Sequence, residues 1–333
     1  MKIVFMGTPD FSAKVLEKLH KRHPVAAVVT APDKPVGRGY KLQPSALKMK
    51  ATELGLPIYQ YCKVSKEGIE DIRALSPDIV VTAAFGQILS EEFLAIPKFG
   101  VLNVHASLLP KYRGSSPIQQ AIIDGEEETG ITIMRTVKAV DAGDILLQKR
   151  VRIEKEETAG EMFDRLAQIG GDAISEAVDI IENGTAEFVP QDESLATHCK
   201  MLSKSDGEID FSRKVGVIDC FVRGMSPWPS AYTHLFGKTL KVFKTEIIED
   251  KDTLSQIGLE FMIDRQKCSG NIFSLSHNGM VVAADSDRGL VVTAGDNDKL
   301  IRLKEVQLEG SKRMSDIEFL RGRRIAIGTV LGR

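Results

Sequence analysis

The first half of the chain alternates apolar runs with amphipathic segments. The apolar run from Ile3 to Met6 is typical of a buried strand, and the following segment places Val15, Leu16 and Leu19 on one helical face. The alternation continues through predicted strands at 25–30, 78–83, 101–105, 131–137 and 145–153. Because strands here alternate with helices, we predict an α/β fold with a doubly wound, mostly parallel, Rossmann-like sheet.

A capping box at 158–161 predicts the start of a long helix, and Asn183-Gly184 predicts its end. The alternation of strands and helices stops after this helix. Residues 190–207 are polar and lack periodicity. Short β-rich runs then follow, separated by turn pairs such as Asn278-Gly279 and Arg288-Gly289. We predict a catalytic domain at 1–188, a linker at 189–206, and a smaller OB-like β-barrel domain at 207–333.

Composition narrows the class of protein. The 333 residues are 43% hydrophobic and 27% charged, with a net charge of −2, which is ordinary for a soluble globular chain. The four cysteines form no Cys-x-x-Cys pair, so we expect reduced thiols. No signal peptide or membrane-spanning run is apparent, and no feature demands a multimer. We therefore expect a cytoplasmic monomer that acts away from the membrane.

Basic residues cluster in two places although the chain is nearly neutral. Between Asp33 and Lys50 there are five basic residues and a single acidic one, and the tail from Lys312 is also rich in arginine. Two interpretations stay open: solvated surface, or contact with a polyanion. The balanced net charge argues only against indiscriminate nucleic-acid binding.

The segment 103–110 (Asn-Val-His-Ala-Ser-Leu-Leu-Pro) carries the most chemistry. Period-two alternation points Asn103 and His105 to one side of a strand end, where open α/β sheets place their active sites. An amide can hydrogen-bond an oxyanion, and an imidazole can move a proton at neutral pH. A single His at a strand end is also compatible with a purely structural role. The turn Gly7-Thr8-Pro9 lacks the glycines of a dinucleotide site, and the histidines lack metal-ligand spacing, so we expect no metal.

This segment and several others together resemble the folate-dependent formyltransferases. The others are 113–118 (Arg-Gly-Ser-Ser-Pro-Ile), 7–11 (Gly-Thr-Pro-Asp-Phe), 32–39 (Pro-Asp-Lys-Pro-Val-Gly-Arg-Gly), 140–144 (Val-Asp-Ala-Gly-Asp) and 227–229 (Pro-Trp-Pro). The core segment alone indicates the wider family. The basic loop and the C-terminal half indicate the branch that formylates charged initiator tRNA, and this resemblance extends over essentially the whole chain.

The resemblance implies roles for particular residues. Asn103, His105 and Asp141 would be catalytic, in a direct transfer from 10-formyltetrahydrofolate without an acyl-enzyme. Asp141 and Asp144 could instead merely cap a turn. Folate would be bound by two segments: Ser107, Leu108, Leu109 and Pro110, and Phe85, Gly86, Gln87, Ile88 and Leu89.

The partner implied by the resemblance is initiator methionyl-tRNA, with Arg38 as its main contact in a flexible Gly-Arg-Gly loop tip. Other basic residues are expected to track the tRNA: Lys34, Lys41, Lys238, Lys241, Lys312 and Arg313. Two alternatives are a sugar-nucleotide N-formyltransferase, which would not need the basic loop, and a non-catalytic folate or nucleotide binder, which would not need the catalytic set. The excursion at 249–269 matches no motif.

Overall fold

The computed structural model describes residues 1–36, 41–250, 252–257, 277–296 and 298–332. The chain forms two compact units, each assembled from three stretches of sequence. Unit 1 consists of Met1–Ile118, Glu127–Ile153 and Glu161–Met201. Unit 2 consists of Gln119–Glu126, Glu154–Gly160 and Leu202–Arg333.

Unit 1 contains eleven strands among its described residues. In chain order they are β1 (Ile3–Gly7), β2 (Val25–Thr30), β3 (Lys34–Val36), β4 (Lys41–Gln43), β5 (Ile58–Gln60), β6 (Ile79–Ala83), β7 (Val101–His105), β8 (Arg113–Gly114), β9 (Glu128–Arg135), β10 (Ile145–Arg152) and β11 (His198–Cys199). Seven of them form one sheet in the order β10-β9-β7-β6-β1-β2-β5. The other four form two small sheets, β3 with β4 and β8 with β11.

The large sheet is parallel from β5 to β7, which confirms the predicted α/β fold, while β9 and β10 add an antiparallel edge. The connection between β9 and β10 spans only residues 136–144, too short for the helical crossover that a parallel pair requires. The central strands are apolar on both faces because helices cover both. All five residues of β1 and of β6 are buried.

The α-helices in residues 1–201 are α1 (Asp10–Arg22), α2 (Ala46–Glu53), α3 (Val64–Glu67), α4 (Ile69–Leu75), α5 (Glu91–Leu94), α6 (Pro117–Ile123) and α7 (Ala159–Glu182). Helix α7 is the long helix predicted from the capping box. At Gly170 a Cβ atom would come within 3.0 Å of Val104 on β7, so the missing side chain lets the helix pack closely on the sheet.

Unit 2 is built on an antiparallel sheet, as the turn pairs predicted. Its strands are β12 (Ala231–Leu235), β13 (Lys238–Ile248), β14 (Val281–Asp285), β15 (Gly289–Thr293), β16 (Leu300–Leu308) and β17 (Met314–Ser315). They pair in the order β12-β13-β16-β15-β14, with β17 beside β16. Helix α8 (Val215–Met225) and a C-terminal helix (Asp316–Arg321) contribute to the same hydrophobic core. Most of the 249–269 excursion lies outside the described residues, as does one of the β-rich runs of the sequence, at 270–275.

Candidate active site

Strand β7 carries two of the predicted catalytic residues, Asn103 and His105. It lies between β6 and β9, with Asn103 opposite Thr82 and His105 opposite Thr132. His105 is buried, whereas Asn103 keeps part of its surface exposed. The two side chains lie at the carboxyl end of a central strand, the position that open α/β sheets use for active sites.

Asp141 joins them from the loop between β9 and β10. Its Oδ1 lies 3.4 Å from the Nδ2 of Asn103, and its Oδ2 lies 3.6 Å from the Nδ1 of His105. The backbone N–H of Gly114 donates to Oδ2 over 2.8 Å. The structure therefore brings together the three residues predicted from 103–110 and 140–144, around a carboxylate that a main-chain donor holds in place.

The protonation of His105 is constrained on one side of its ring. Its Nε2 lies 2.9 Å from the backbone oxygen of Tyr112. A carbonyl oxygen can only accept, so this nitrogen carries a hydrogen in either charge state of the ring. The remaining nitrogen, Nδ1, faces Asp141. Proton exchange with a substrate is therefore confined to Nδ1.

A network that the sequence analysis missed holds the Asp141 loop. The side-chain amide of Gln191 donates to the backbone oxygens of Asp141 (2.8 Å) and Gly143 (2.7 Å). Its Oε1 accepts from the buried guanidinium of Arg113, which also makes two hydrogen bonds to Glu193. The hydrogen bonds from Arg113 hold the pKa of the Glu193 carboxyl below its ordinary value.

Residues 189–206 were expected to form a linker, and the structure corrects this for their first part. Gln191 and Glu193 anchor the site, and β11 pairs with β8, so the segment as far as Met201 belongs to unit 1. Its two-residue strand and isolated polar contacts have no periodicity. For that reason the hydrophobic pattern could not reveal it.

The loop that carries Asp141 has an unusual backbone conformation and close packing. Asp141 has a backbone φ of +49°, a left-handed conformation that is uncommon outside glycine, although aspartate tolerates it better than most residues. Two residues later, a Cβ atom on Gly143 would lie 1.7 Å from the backbone oxygen of Arg135. The position of the Asp141 carboxylate therefore depends on a glycine that lets the loop pack directly against the end of β9.

The turn predicted to bind folate is held by its own hydrogen bonds. Ser107 is fully buried and its hydroxyl donates to the backbone oxygen of Lys111 over 2.7 Å. Thr132 bridges the turn, donating to the oxygen of Ser107 (2.7 Å) and accepting from the N–H of Leu109 (3.1 Å). Leu108 and Pro110 stay partly exposed. A folate contact for this turn stays a prediction, and Leu108 and Pro110 are the side chains in it best exposed to make one.

The second predicted folate segment follows β6. Phe85 and Leu89 are buried in the core, while Ile88 is 79% exposed. Both polar atoms of the Gln87 side chain are used internally, because it accepts from the N–H of Val64 and donates to the oxygen of Tyr61. In this segment a ligand could therefore contact chiefly the side chain of Ile88 and the backbone of the exposed Gly86.

The predicted tRNA contacts are only partly described. Arg38 and the side chain of Lys41 lie outside the described residues, and Lys34 is exposed at the start of the β3–β4 hairpin. In unit 2, Lys238 and Lys312 are exposed and Lys241 is half-buried. Arg313 is engaged within unit 2, since its guanidinium pairs with Glu305 at 2.6 Å and lies over the ring of Phe243. These contacts stay predictions.

One group of side chains in the described part of the chain has the spacing of metal ligands. Ligand atoms of His23, Asp179 and Glu182 lie within 4.8 Å of one another. The carboxylates already have cationic partners: Arg22 binds Asp179, and the N-terminal ammonium lies 2.7 Å from Glu182. Ion pairing within the protein accounts for this cluster. Separately, no helix in the described ranges has the length and apolar character needed to span a bilayer.

Family models and relatives match nearly the whole chain. A model described as formyl transferase matches residues 1–178, and one described as formyl transferase, C-terminal domain, matches residues 201–324. The methionyl-tRNA formyltransferase of Agathobacter rectalis is 42% identical over 331 residues, covering 99% of both chains. That of Staphylococcus aureus strain MW2 is 41% identical, covering 100% of this chain and 98% of its own.

Solved structures share the fold. An N-formyltransferase of Helicobacter canadensis, in complex with folinic acid and dTDP-3-aminofucose, has a TM-score of 0.63 at 18% identity, covering 91% of this chain and 99% of its own. The methionyl-tRNA formyltransferase of Clostridium thermocellum has a TM-score of 0.55 at 18% identity, covering 75% and 95%. At such identities these structures support the fold alone, whereas the family models and the relatives above 40% identity settle the family. The chain belongs to the formyltransferase family, among the methionyl-tRNA formyltransferases.

Proposed function

We propose that this enzyme transfers the formyl group of 10-formyltetrahydrofolate to the α-amine of methionine on charged initiator tRNA. The observation that carries the proposal is the meeting of Asn103, His105 and Asp141 at the end of β7, with Asp141 within 3.6 Å of both partners. The names of the full-length relatives support the tRNA substrate. Since charged tRNA is a cytoplasmic substrate, we place the enzyme in the cytoplasm, acting as a monomer.

The reaction forms one C–N bond and breaks another. The amine nitrogen of methionine attacks the formyl carbon, and the carbonyl oxygen gains negative charge in a tetrahedral intermediate. Asn103 has two N–H groups on Nδ2, of which one points toward Asp141. The second is available to the developing oxyanion, and such a donor lowers the barrier because it binds the transition state more strongly than the ground state.

The proton of the attacking amine must reach the departing folate nitrogen. His105 can exchange a proton only through Nδ1, because Nε2 is committed to the oxygen of Tyr112. With Nδ1 protonated, the imidazolium stabilises the oxyanion beside Asn103. Asp141 stabilises that imidazolium and takes up the amine proton, directly or through water. When the C–N10 bond breaks, the proton passes to N10 and tetrahydrofolate leaves, so no covalent enzyme intermediate is needed.

The donor is assigned to two segments of unit 1. In the first, Ile88 and the backbone around Gly86 are exposed after β6, and in the second Leu108 and Pro110 are partly exposed after β7. An apolar wall with backbone hydrogen-bonding groups suits a flat pterin ring. We assign formyl transfer to unit 1 and binding of the tRNA backbone to the basic residues of unit 2.

The test is a formyl-transfer assay with 10-formyltetrahydrofolate and three acceptors in parallel. Charged initiator tRNA should be formylated with release of tetrahydrofolate, and charged elongator tRNA serves as the matched control for tRNA selection. Amino-sugar nucleotides should not react. If an amino-sugar nucleotide alone is formylated, the tRNA assignment is wrong although the reaction class survives.

Arg38 is proposed to contact the acceptor end of the tRNA. Its loop connects β3 to β4, and the loop base is fixed because Lys48 donates to both carboxylate oxygens of Asp33 at 2.8 Å and to Gln60. A rigid base with a Gly-Arg-Gly tip suits a phosphate ligand, since a guanidinium binds phosphate through paired hydrogen bonds.

Arg38→Ala should therefore raise KM for charged tRNA by about 10- to 100-fold, the loss of a charged hydrogen bond, and leave folate binding unchanged. The matched control is Arg73→Ala, which removes an exposed arginine of unit 1 that pairs with Glu70 and Glu92. Equal KM values in the two variants would exclude a tRNA contact for Arg38.

A further inference from the structure

The side-chain amide of Asn103 can occupy its site in two orientations of nearly the same shape. In one, Nδ2 faces the reacting carbonyl and donates to the oxyanion. In the other, Oδ1 faces it and repels the same charge. The reaction therefore depends on whatever decides between the two orientations, and an amide cannot decide this by its own shape.

Thr82 contacts the Oδ1 end of the amide, although a hydroxyl could equally accept from Nδ2 if the amide were turned. It lies on β6 directly opposite Asn103 and is 5% exposed. Its Oγ1 is 2.9 Å from the Oδ1 of Asn103 and 3.2 Å from the backbone oxygen of Leu102. In the amide orientation of the structure both neighbours are acceptors, so the hydroxyl donates, and the shorter contact is the one to Asn103.

Asp141 supplies the contact that distinguishes the two ends of the amide, and it leaves Oδ1 toward the Thr82 hydroxyl. Its Oδ1 lies 3.4 Å from the Nδ2 of Asn103, and an ionised carboxylate can only accept. A donor at Oδ1 and an acceptor near Nδ2 favour the same orientation of the amide. The Asp141 contact is the longer and lies in a loop, whereas Thr82 belongs to the neighbouring strand of a buried sheet.

We propose that Thr82 is a positioning residue, which holds the Asn103 amide with its N–H groups toward the reacting carbonyl. This inference rests on the proposed function, since it gives Thr82 a role only through Asn103. A hydroxyl on a central strand is a rigid support for such an amide, because the backbone that carries it is fixed by pairing on both sides.

Thr82→Val tests the proposal because valine keeps the branched shape and removes the hydroxyl. We expect kcat to fall by about tenfold, the typical effect of one buried hydrogen bond, with KM for both substrates within about twofold. Thr82→Ser keeps the donor and should restore most of the turnover. A structural role alone would lower the melting temperature without this split between kcat and KM.

Thr129→Val is the matched control. Thr129 lies on β9 of the same sheet and is 3% exposed, and its hydroxyl is buried with no hydrogen-bond partner in the part of the chain that the structure describes. Replacing it removes a buried hydroxyl from a neighbouring strand without touching Asn103. Its kcat should equal that of the unchanged enzyme.

A double-mutant cycle with Asn103→Ala separates the inference from the proposed function. If Thr82 acts through Asn103, then Thr82→Val should lower kcat in the unchanged enzyme and have no further effect beside Asn103→Ala. An impaired Asn103→Ala together with a fully active Thr82→Val overturns the inference alone. An equal effect of Thr82→Val in both backgrounds also overturns it, whereas a fully active Asn103→Ala overturns the proposed role of Asn103 itself.

Discussion

Replacing His105 with alanine is expected to lower kcat by about two to four orders of magnitude, while KM for both substrates changes only a few-fold. In the proposed mechanism the imidazole acts on charge that develops in the transition state, so its removal should affect turnover more than binding. Asn103→Ala and Asp141→Ala should fall in the same range. Single-turnover formyl transfer at saturating folate and charged tRNA measures the effect directly.

The control for this series is Asp144→Ala, three residues from Asp141 in the same loop. In the structure the backbone oxygen of Asp144 accepts from the N–H of Arg135 at 2.9 Å, a bond that alanine retains. Asp144→Ala should therefore lower kcat much less than Asp141→Ala does. Near-normal turnover in His105→Ala would contradict the mechanism, and an inactive Asp144→Ala beside an active Asp141→Ala would mean that the other carboxylate is catalytic.

Gly143→Ala should lower both kcat and the free energy of unfolding. The added Cβ would lie 1.7 Å from the backbone oxygen of Arg135, so the loop that carries Asp141 must move. A displacement of about 1 Å at a catalytic group is worth roughly a hundredfold in rate. The strain should also lower the free energy of unfolding by about 1–3 kcal/mol. Thermal unfolding and kcat, measured on the same preparation, test both effects.

Gly216→Ala is the matched glycine substitution. Gly216 lies in helix α8 of unit 2, and a Cβ there has no other atom within 4 Å. Gly216 is the second residue of the helix, so alanine gains at most the roughly 0.5–1 kcal/mol that it has over glycine in a helix interior, and this variant should be at least as stable and fully active. A Gly143→Ala enzyme with unchanged kcat and melting temperature would show that the Asp141 loop tolerates the shift.

The placement of Asn103 and His105 could be predicted from the sequence because it depends on local order. Period-two alternation in a short strand points both side chains to the same side, and the structure places them at the end of β7. Asp141 is different. Its nearness to His105 depends on how β9 and β10 return to the sheet, and only the family resemblance connected the two before the structure did.

Thr82 and Gln191 could not be predicted for a related reason. Thr82 lies 21 residues before Asn103 and meets it through the register of two parallel strands. Both strands are largely buried, and their nearly continuous apolar runs do not determine that register. Gln191 lies 50 residues after Asp141, in a segment without regular structure. The antiparallel edge of the large sheet was likewise not specified, since alternating strands and helices indicate the parallel strands alone.

The division of the chain into interleaved stretches constrains how such an enzyme can be recombined. The chain passes between the two units at five junctions, after Ile118, Glu126, Ile153, Gly160 and Met201. A gene fusion at the last junction would transfer the C-terminal sheet but leave behind Gln119–Glu126 and Glu154–Gly160. The hydrogen bonds from the N–H of Gly160 to the oxygen of Ser226 and from Arg223 to the oxygen of Glu157 would then have to form between segments of different parents. A single crossover therefore cannot exchange the second unit as a cassette, and functional chimaeras between relatives should need matched replacement of the two internal segments.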